Sequence, residues 1–115
     1  MFVFLLVFSV ARSQQTFVYT DPNAAYRKGV ELFEEKNYAS ARRQFEKIYE
    51  QRLDNTASKN TLLFTEVEYM IAVSAAENND VDAEPLLFNF LQNHSDSHRS
   101  AYINFYLGRY YYMNN

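Results

Sequence analysis

The sequence predicts an all-α fold, an α-α superhelix of about five helices arranged as a solenoid of helical hairpins. Only two Gly and two Pro occur in 115 residues, so few residues interrupt long helices. Three segments, 43 and then 36 residues apart, repeat one pattern, and this spacing is typical of helical-hairpin arrays. In each segment an aromatic residue precedes a small residue by three positions: Tyr26 and Gly29, Tyr69 and Ala72, Phe105 and Gly108.

The N-terminal segment is interpreted separately from the repeats. An almost unbroken apolar run begins at Phe2 and ends at Val10, and the small residues Ala11 and Ser13 follow it. Small residues at this spacing are what signal peptidase recognises, although no Lys or Arg precedes the run, and the run is shorter than the roughly 20 residues that span a bilayer. We expect a signal peptide over 1–13 and a secreted or periplasmic protein without stable membrane insertion after cleavage. A buried first strand is the alternative.

Turn and cap residues divide the remainder of the chain. Residues 14–21 predict an extended leader, and Asp21 followed by Pro22 predicts the start of the first helix, because aspartate caps free N–H groups and proline fits the first turn. Asp82 is expected to cap the fourth helix, since this start places Pro85 within the first turn. The first four helices are predicted at about 22–36, 38–53, 58–77 and 83–93, and the fifth follows a cap in 95–97 and ends near 113.

Apolar residues recur at helical spacing in every predicted helix and mark the side that packs against its neighbours. The helices group into units of about 22–55, 57–94 and 97–115 within a repeat domain at 22–115. The third unit holds one helix where the others hold two. We therefore expect it to be an incomplete unit of a longer array, and a natural capping helix is the alternative.

The first unit carries the clearest repeat. Gly29 and Leu32 precede a turn at Asn37, and Ala41 and Phe45 follow on the next helix. With these offsets the unit resembles a tetratricopeptide repeat, a family in which the small residues mark the closest approach of two helices and aromatic residues fill the space around them.

The other two units are similar but degenerate. In the second, Ala72 stands where the first unit has glycine, and Ala83 with Leu87 stands for the alanine and phenylalanine of its second helix. The third matches only in its first helix, through Gly108 and its neighbours. The repeat positions that the resemblance implies are therefore Gly29, Ala41, Phe45, Ala72, Ala83 and Gly108.

The resemblance also implies a right-handed superhelix in which the first helices of the hairpins line a concave groove. Aromatic walls with one cation suit an extended peptide or a helix of a partner protein. Core packing is the alternative for aromatic residues at helical spacing. The equivalent groove positions are Tyr26, Val30 and Phe33, then Tyr69, Val73 and Ala76, then Phe105, Arg109 and Tyr112.

Composition and motifs exclude several other functions. The net charge of −3 disfavours nucleic acid as a partner, and the absence of cysteine excludes disulfides and thiolate metal sites. A glycine-rich phosphate loop and a nucleophile elbow are absent. His94 and His98 straddle a predicted helix start, and the calcium-loop likeness after Asp80 fails where Pro85 replaces the required glycine. We expect neither metal nor cofactor.

The function predicted from the sequence is a non-catalytic protein–protein interaction scaffold in the cell envelope, and not an enzyme. One alternative is a docking or targeting domain of a larger envelope enzyme or assembly machine whose activity lies beyond residue 115. Another is a helical carrier that binds an apolar small molecule among Tyr69, Phe105 and Tyr112.

Overall fold

A computed structural model describes residues 21–54 and 61–115 and confirms the all-α prediction. Within these two ranges the chain forms five helices and no strand. The predicted signal peptide, and the predicted leader apart from Asp21, lie outside the described residues. The helices are α1 (Pro22–Glu34), α2 (Tyr38–Asp54), α3 (Thr61–Glu77), α4 (Ala83–Asn93) and α5 (Ser100–Asn114).

Each helix packs mainly against its neighbours along the chain, which gives the predicted helical-hairpin arrangement. The first hairpin is α1–α2, the second is α3–α4, and α5 packs on both α4 and α3. The central helix is α3, whose residues from Tyr69 to Ala76 are all buried. A helix that is apolar on all sides belongs in the interior, and α3 is accordingly covered by α1, α2, α4 and α5.

None of the helices in the described ranges combines the length and the apolar character that crossing a lipid bilayer requires.

The two hairpins turn in the same way. Lys36 and Asn79, which are 43 residues apart, both adopt a left-handed backbone conformation, with φ of 65° and 57°. After α1, the N–H of Asn37 donates to the carbonyl of Leu32 at 2.9 Å, and after α3 the N–H of Asp80 donates to the carbonyl of Ala75 at 2.9 Å. This is the Schellman pattern of helix ends, so the repeat found in the sequence recurs in the backbone of both turns.

The helix starts agree only in part with the predicted caps. The Asp21 carboxylate accepts a hydrogen bond from the N–H of Asn23 at 3.0 Å, as predicted. Asp82 precedes α4 as predicted, but its carboxylate binds Arg42 and makes no cap hydrogen bond. The predicted cap for the fifth helix is wrong, because α5 begins at Ser100 with Arg99 at the cap position.

The segment before α5 is a chain of turns instead of a cap. The N–H of Ser97 donates to the carbonyl of His94, and the N–H of Ser100 donates to the carbonyl of Ser97. The Ser97 hydroxyl accepts from the N–H of Arg99 at 3.1 Å. These turns delay the helix and place Arg99 beside α3.

The first hairpin closes around Gly29. Phe45 of α2 is fully buried, and its ring lies over Gly29 of α1, so that a Cβ atom at Gly29 would lie only 2.5 Å from Phe45 Cε1. Carbon atoms in contact normally stay about 3.5–4.0 Å apart. Glycine therefore permits this approach, and in the second hairpin Ala72 and Ala83 are buried in the same way.

Gly108 differs from Gly29, although both occupy the same place in the repeated pattern. A Cβ atom at Gly108 would meet no neighbouring atom within 4 Å. No described helix covers this side of α5, so the role of Gly108 as a repeat position stays a prediction.

Candidate protein interaction surface

The predicted groove residues of α1 lie at the edge of the first hairpin. Tyr26 is half-buried, with its ring centroid 5.5 Å from that of Phe45, and Phe33 packs edge-on against Tyr38 at 5.0 Å. Val30 is also half-buried and packs against the core. These side chains therefore combine core packing with partial exposure.

The predicted groove residues of α3 belong to the core. Tyr69, Val73 and Ala76 are buried, so Val73 and Ala76 offer a partner almost no side-chain surface. This corrects the expectation that α3 contributes a wall of the groove. Tyr69 packs edge-on against Phe90 at 5.8 Å, and the guanidinium group of Arg99 also contacts its ring.

Two ion pairs connect α5 and its cap residue Arg99 to α3. Arg99 donates to Glu66 through Nη2 at 2.6 Å and through Nε at 3.0 Å, a two-pronged contact that fixes the plane of the guanidinium group. The same group lies 4.7 Å from the ring centre of Tyr69. Arg109 forms the second pair, with Glu77. Predicted as a groove residue, Arg109 is thus exposed but already has an acidic partner.

Tyrosine side chains surround these two ion pairs. The guanidinium group of Arg99 lies 5.9 Å from the ring centre of Tyr102, which is exposed. Tyr26 is near Glu66 and Arg99, and Tyr38 and Tyr106 are near Glu77 and Arg109, close enough for these charges to act on the tyrosine pKa values. We call the set the tyrosine–arginine surface: Tyr26, Tyr38, Tyr69, Tyr102, Tyr106, Arg99 and Arg109, with Glu66 and Glu77.

Partial burial raises the pKa of three tyrosines of this surface, Tyr26, Tyr69 and Tyr106. It is the main cause that raises the pKa of Tyr26 and of Tyr106, and the nearby carboxylates Glu66 and Glu77 raise these values further. Burial, with a smaller contribution from Tyr106, raises the pKa of Tyr69 to about 12. The phenols of Tyr26, Tyr69 and Tyr106 therefore stay protonated well above neutral pH and can donate a hydrogen bond.

The sequence reasoning missed part of this surface. It proposed Tyr26, Tyr69 and Arg109, but not Arg99 or the two glutamates. A usable signal was present, because Glu66 and Glu77 are 11 residues apart on α3, and Arg109 of α5 lies 10 residues after Arg99 at the cap of that helix. Both intervals are close to three helical turns, so opposite charges can meet at two levels of a helix pair.

The remaining predicted groove residues face another direction. Phe105 and Tyr112 are 62% and 85% exposed and lie on the side of α5 that faces away from α3 and α4. Two clefts on the described residues, of about 320 and 790 Å³, are lined by side chains other than Tyr69, Phe105 and Tyr112. These two clefts therefore give no support to the apolar-carrier alternative.

The motifs considered for metal binding have other contacts. His94 Nε2 lies 3.2 Å from Glu68 Oε1, and the carboxylates of Asp80 and Asp82 accept hydrogen bonds from Arg42. The residues that the structure describes contain no group of three or more potential metal ligands.

Comparison of the chain with known protein families, with curated proteins and with solved structures found no match. The tetratricopeptide resemblance therefore stays a prediction from the sequence, and the tyrosine–arginine surface is the feature of the structure that bears on function.

Proposed function

We propose that this protein is a non-catalytic interaction scaffold of tetratricopeptide-like design, and that it binds a segment of a partner protein on the tyrosine–arginine surface. The observation that carries the proposal is the placement of the tyrosine rings around two arginines that are held between α3 and α5. Tyrosine and arginine are the residue types enriched at the centres of protein interfaces.

The surface has physical properties that favour binding. Tyrosine has only two side-chain torsions, so a partner fixes its ring at low entropic cost. The glutamates orient both guanidinium groups before binding, which lowers the cost further. Arg99 donates through Nε and Nη2, and Arg109 through Nη1. The other N–H groups of the two arginines have no partner in the described residues, and we expect them to bind carbonyl or carboxylate groups of the partner segment.

Selection from a random peptide library tests the proposal. Peptides that the full chain enriches should bind it saturably in fluorescence anisotropy, and Tyr102→Ala should weaken this binding at least about tenfold, or about 1.4 kcal/mol. Tyr102 is exposed, so its truncation should leave the melting temperature unchanged.

Phe88→Ala provides the matched control, because Phe88 is an exposed aromatic residue of α4 outside the tyrosine–arginine surface. It should leave peptide binding unchanged. A library that yields no saturable binder, or binders that lose affinity in Phe88→Ala and keep it in Tyr102→Ala, would refute the proposal.

We also propose that the protein acts outside the cytoplasm. The small residues Ala11 and Ser13 after the apolar run support this location. N-terminal sequencing of protein purified from the periplasm or the medium should give Gln14 as the first residue. Recovery of protein that retains Met1 from these fractions would contradict it.

A further inference from the structure

One face of α5 repeats the central glycine and the two flanking aromatic positions of the face by which α1 packs on α2. On α1 this face is centred on Gly29, with Tyr26 three positions before it and Phe33 four positions after it. On α5 the centre is Gly108, and the residues at the same offsets form what we call the open face: Ala101, Asn104, Phe105, Gly108, Tyr111 and Tyr112.

The corresponding faces of α1 and α3 are covered. Phe45 of α2 lies directly over Gly29 and packs on the ring of Tyr26 at a centroid distance of 5.5 Å. On α3, Tyr69 packs on Phe90 of α4, and Ala72 at the centre of the face is buried. Two copies of this pattern in the same molecule are thus each covered by a helix.

The third copy is uncovered. Phe105 and Tyr112 are among the most exposed large apolar side chains of the described residues, and Tyr111 is 39% exposed. Apart from the two chain neighbours of Gly108 and the surrounding backbone of α5, no described atom lies within 4 Å of the position that a Cβ atom of Gly108 would occupy. A large aromatic surface with a depression at its centre therefore faces solvent, and such surfaces mark interaction sites.

The covered copies indicate which element fits this face. Both α2 and α4 place a small residue and a large apolar residue four positions apart, and all four side chains are fully buried: Ala41 with Phe45, and Ala83 with Leu87. The small residue lets the helices approach and the large one fills the depression. The element that complements the open face is therefore an amphipathic helix with alanine at one position and a large apolar residue four positions later.

We propose that the open face of α5 is a second binding surface, which takes one amphipathic helix of a partner protein in the way that α1 takes α2. A second copy of this chain is a poor occupant. Its own α2, the helix that fits this face, is already seated on α1 with Phe45 fully buried over Gly29.

The peptide of α2, residues 38–54, is a direct probe because its alanine and phenylalanine already fit the matching face of α1. A staple between positions 43 and 47, both exposed on α2, would hold the peptide helical and reduce the cost of ordering it. In fluorescence anisotropy the stapled peptide should bind the full chain saturably. The same peptide with Phe45→Ala should bind at least about tenfold more weakly.

The Gly108→Leu variant locates the binding. Leucine at this position should occupy the depression and weaken peptide binding at least about tenfold. It should leave the melting temperature unchanged or higher, because the Cβ position at Gly108 has open space around it and glycine inside a helix is destabilising. Tyr102→Ala should leave peptide binding unchanged, which separates this proposal from that of the tyrosine–arginine surface.

Three results would overturn the proposal. The first is the absence of saturable binding. The second is binding that Gly108→Leu leaves intact, which would mean that the peptide replaces the chain's own α2 on α1. The third is dimerisation of the chain, measured by sedimentation, that Gly108→Leu abolishes, since the open face would then join two copies of this protein.

Discussion

Replacing Gly29 by leucine is expected to lower the free energy of unfolding by about 1–3 kcal/mol. Even a Cβ atom would lie 2.5 Å from Phe45 Cε1 and 2.6 Å from Phe45 Cζ. The phenylalanine ring is fully buried and packs against Tyr26, so it has little room to move away. Overpacking of α1 against α2 should therefore shift the urea midpoint to lower concentration.

The matched control is Gly108→Leu, the same substitution at the same position of the repeated pattern. Gly108 has open space around it, and glycine inside a helix costs about 1 kcal/mol relative to alanine. This variant should have an unchanged or slightly higher urea midpoint. Equal midpoints for Gly29→Leu and the wild type would mean that Gly29 does not face α2.

A double variant tests the contact itself. Phe45→Ala alone should cost about 3–5 kcal/mol because it leaves a cavity between α1 and α2. In the double variant with Gly29→Leu, the ring that the leucine would contact is absent. The double variant should therefore lose less unfolding free energy than the sum of the losses in the two single variants. Additive costs would place the two side chains too far apart to interact.

A helix boundary was predictable where a residue such as Pro85 allows only one position for the start of the helix. Pro85 could be accommodated only near a helix start, and the predicted fourth helix coincides with α4 at both ends. The segment before α5 offered several serines and an aspartate as caps, and the actual start depends on turns between His94 and Ser100. Such backbone turns carry a weak sequence signal, so this boundary was missed.

The tyrosine–arginine surface was only partly predictable, since it depends on how α5 lies across α3. Glu66 and Arg99 are 33 residues apart, and nothing local in the sequence determines that they meet. Helical spacing identified Tyr26 and Tyr69 as members of a repeated face. It could not determine that α3 is buried throughout from Tyr69 to Ala76.

The two glycines show the same limit more directly. Gly29 and Gly108 occupy equivalent positions in the sequence pattern, yet one lies under a phenylalanine ring and the other faces open space. A repeated pattern describes what a helix face can accept, whereas coverage depends on which element is present to pack there. For this reason the pattern indicated the close approach at Gly29, but not which element packs on Gly108.

Arg42→Ala should also lower the free energy of unfolding substantially, by about 2–3 kcal/mol, since hydrogen bonds to charged groups are among the stronger ones. Arg42 of α2 donates to Asp80 Oδ2 at 2.8 Å, to Asp82 Oδ2 at 2.7 Å and to Glu46 Oε2 at 2.9 Å. It thereby ties the first hairpin to the turn of the second, and its side chain is only 19% exposed. The urea midpoint measures the loss.

Arg43→Ala is the matched control for this prediction. Arg43 is the next residue of α2, is exposed, and donates only to the Ser40 hydroxyl at 3.1 Å. Its removal should change the stability by less than about 0.5 kcal/mol. Comparable losses in the two variants would show that Arg42 acts through general helix charge and not through Asp80 and Asp82.

The stabilising effect of Arg42 should disappear in acid. Its hydrogen bonds to Asp82 lower the pKa of that carboxyl group in the folded protein, and this outweighs the opposing effect of partial burial. A carboxyl group with a lowered folded pKa stabilises the protein above its unfolded value, about 3.9, and this contribution is lost as the pH falls through the folded value. The gap in unfolding free energy between wild type and Arg42→Ala should therefore be largest near about pH 6 and should shrink below about pH 4. Urea titrations across this pH range measure the difference in unfolding free energy. A difference that stayed constant into acid would mean that Arg42 does not stabilise the protein through ionised Asp82.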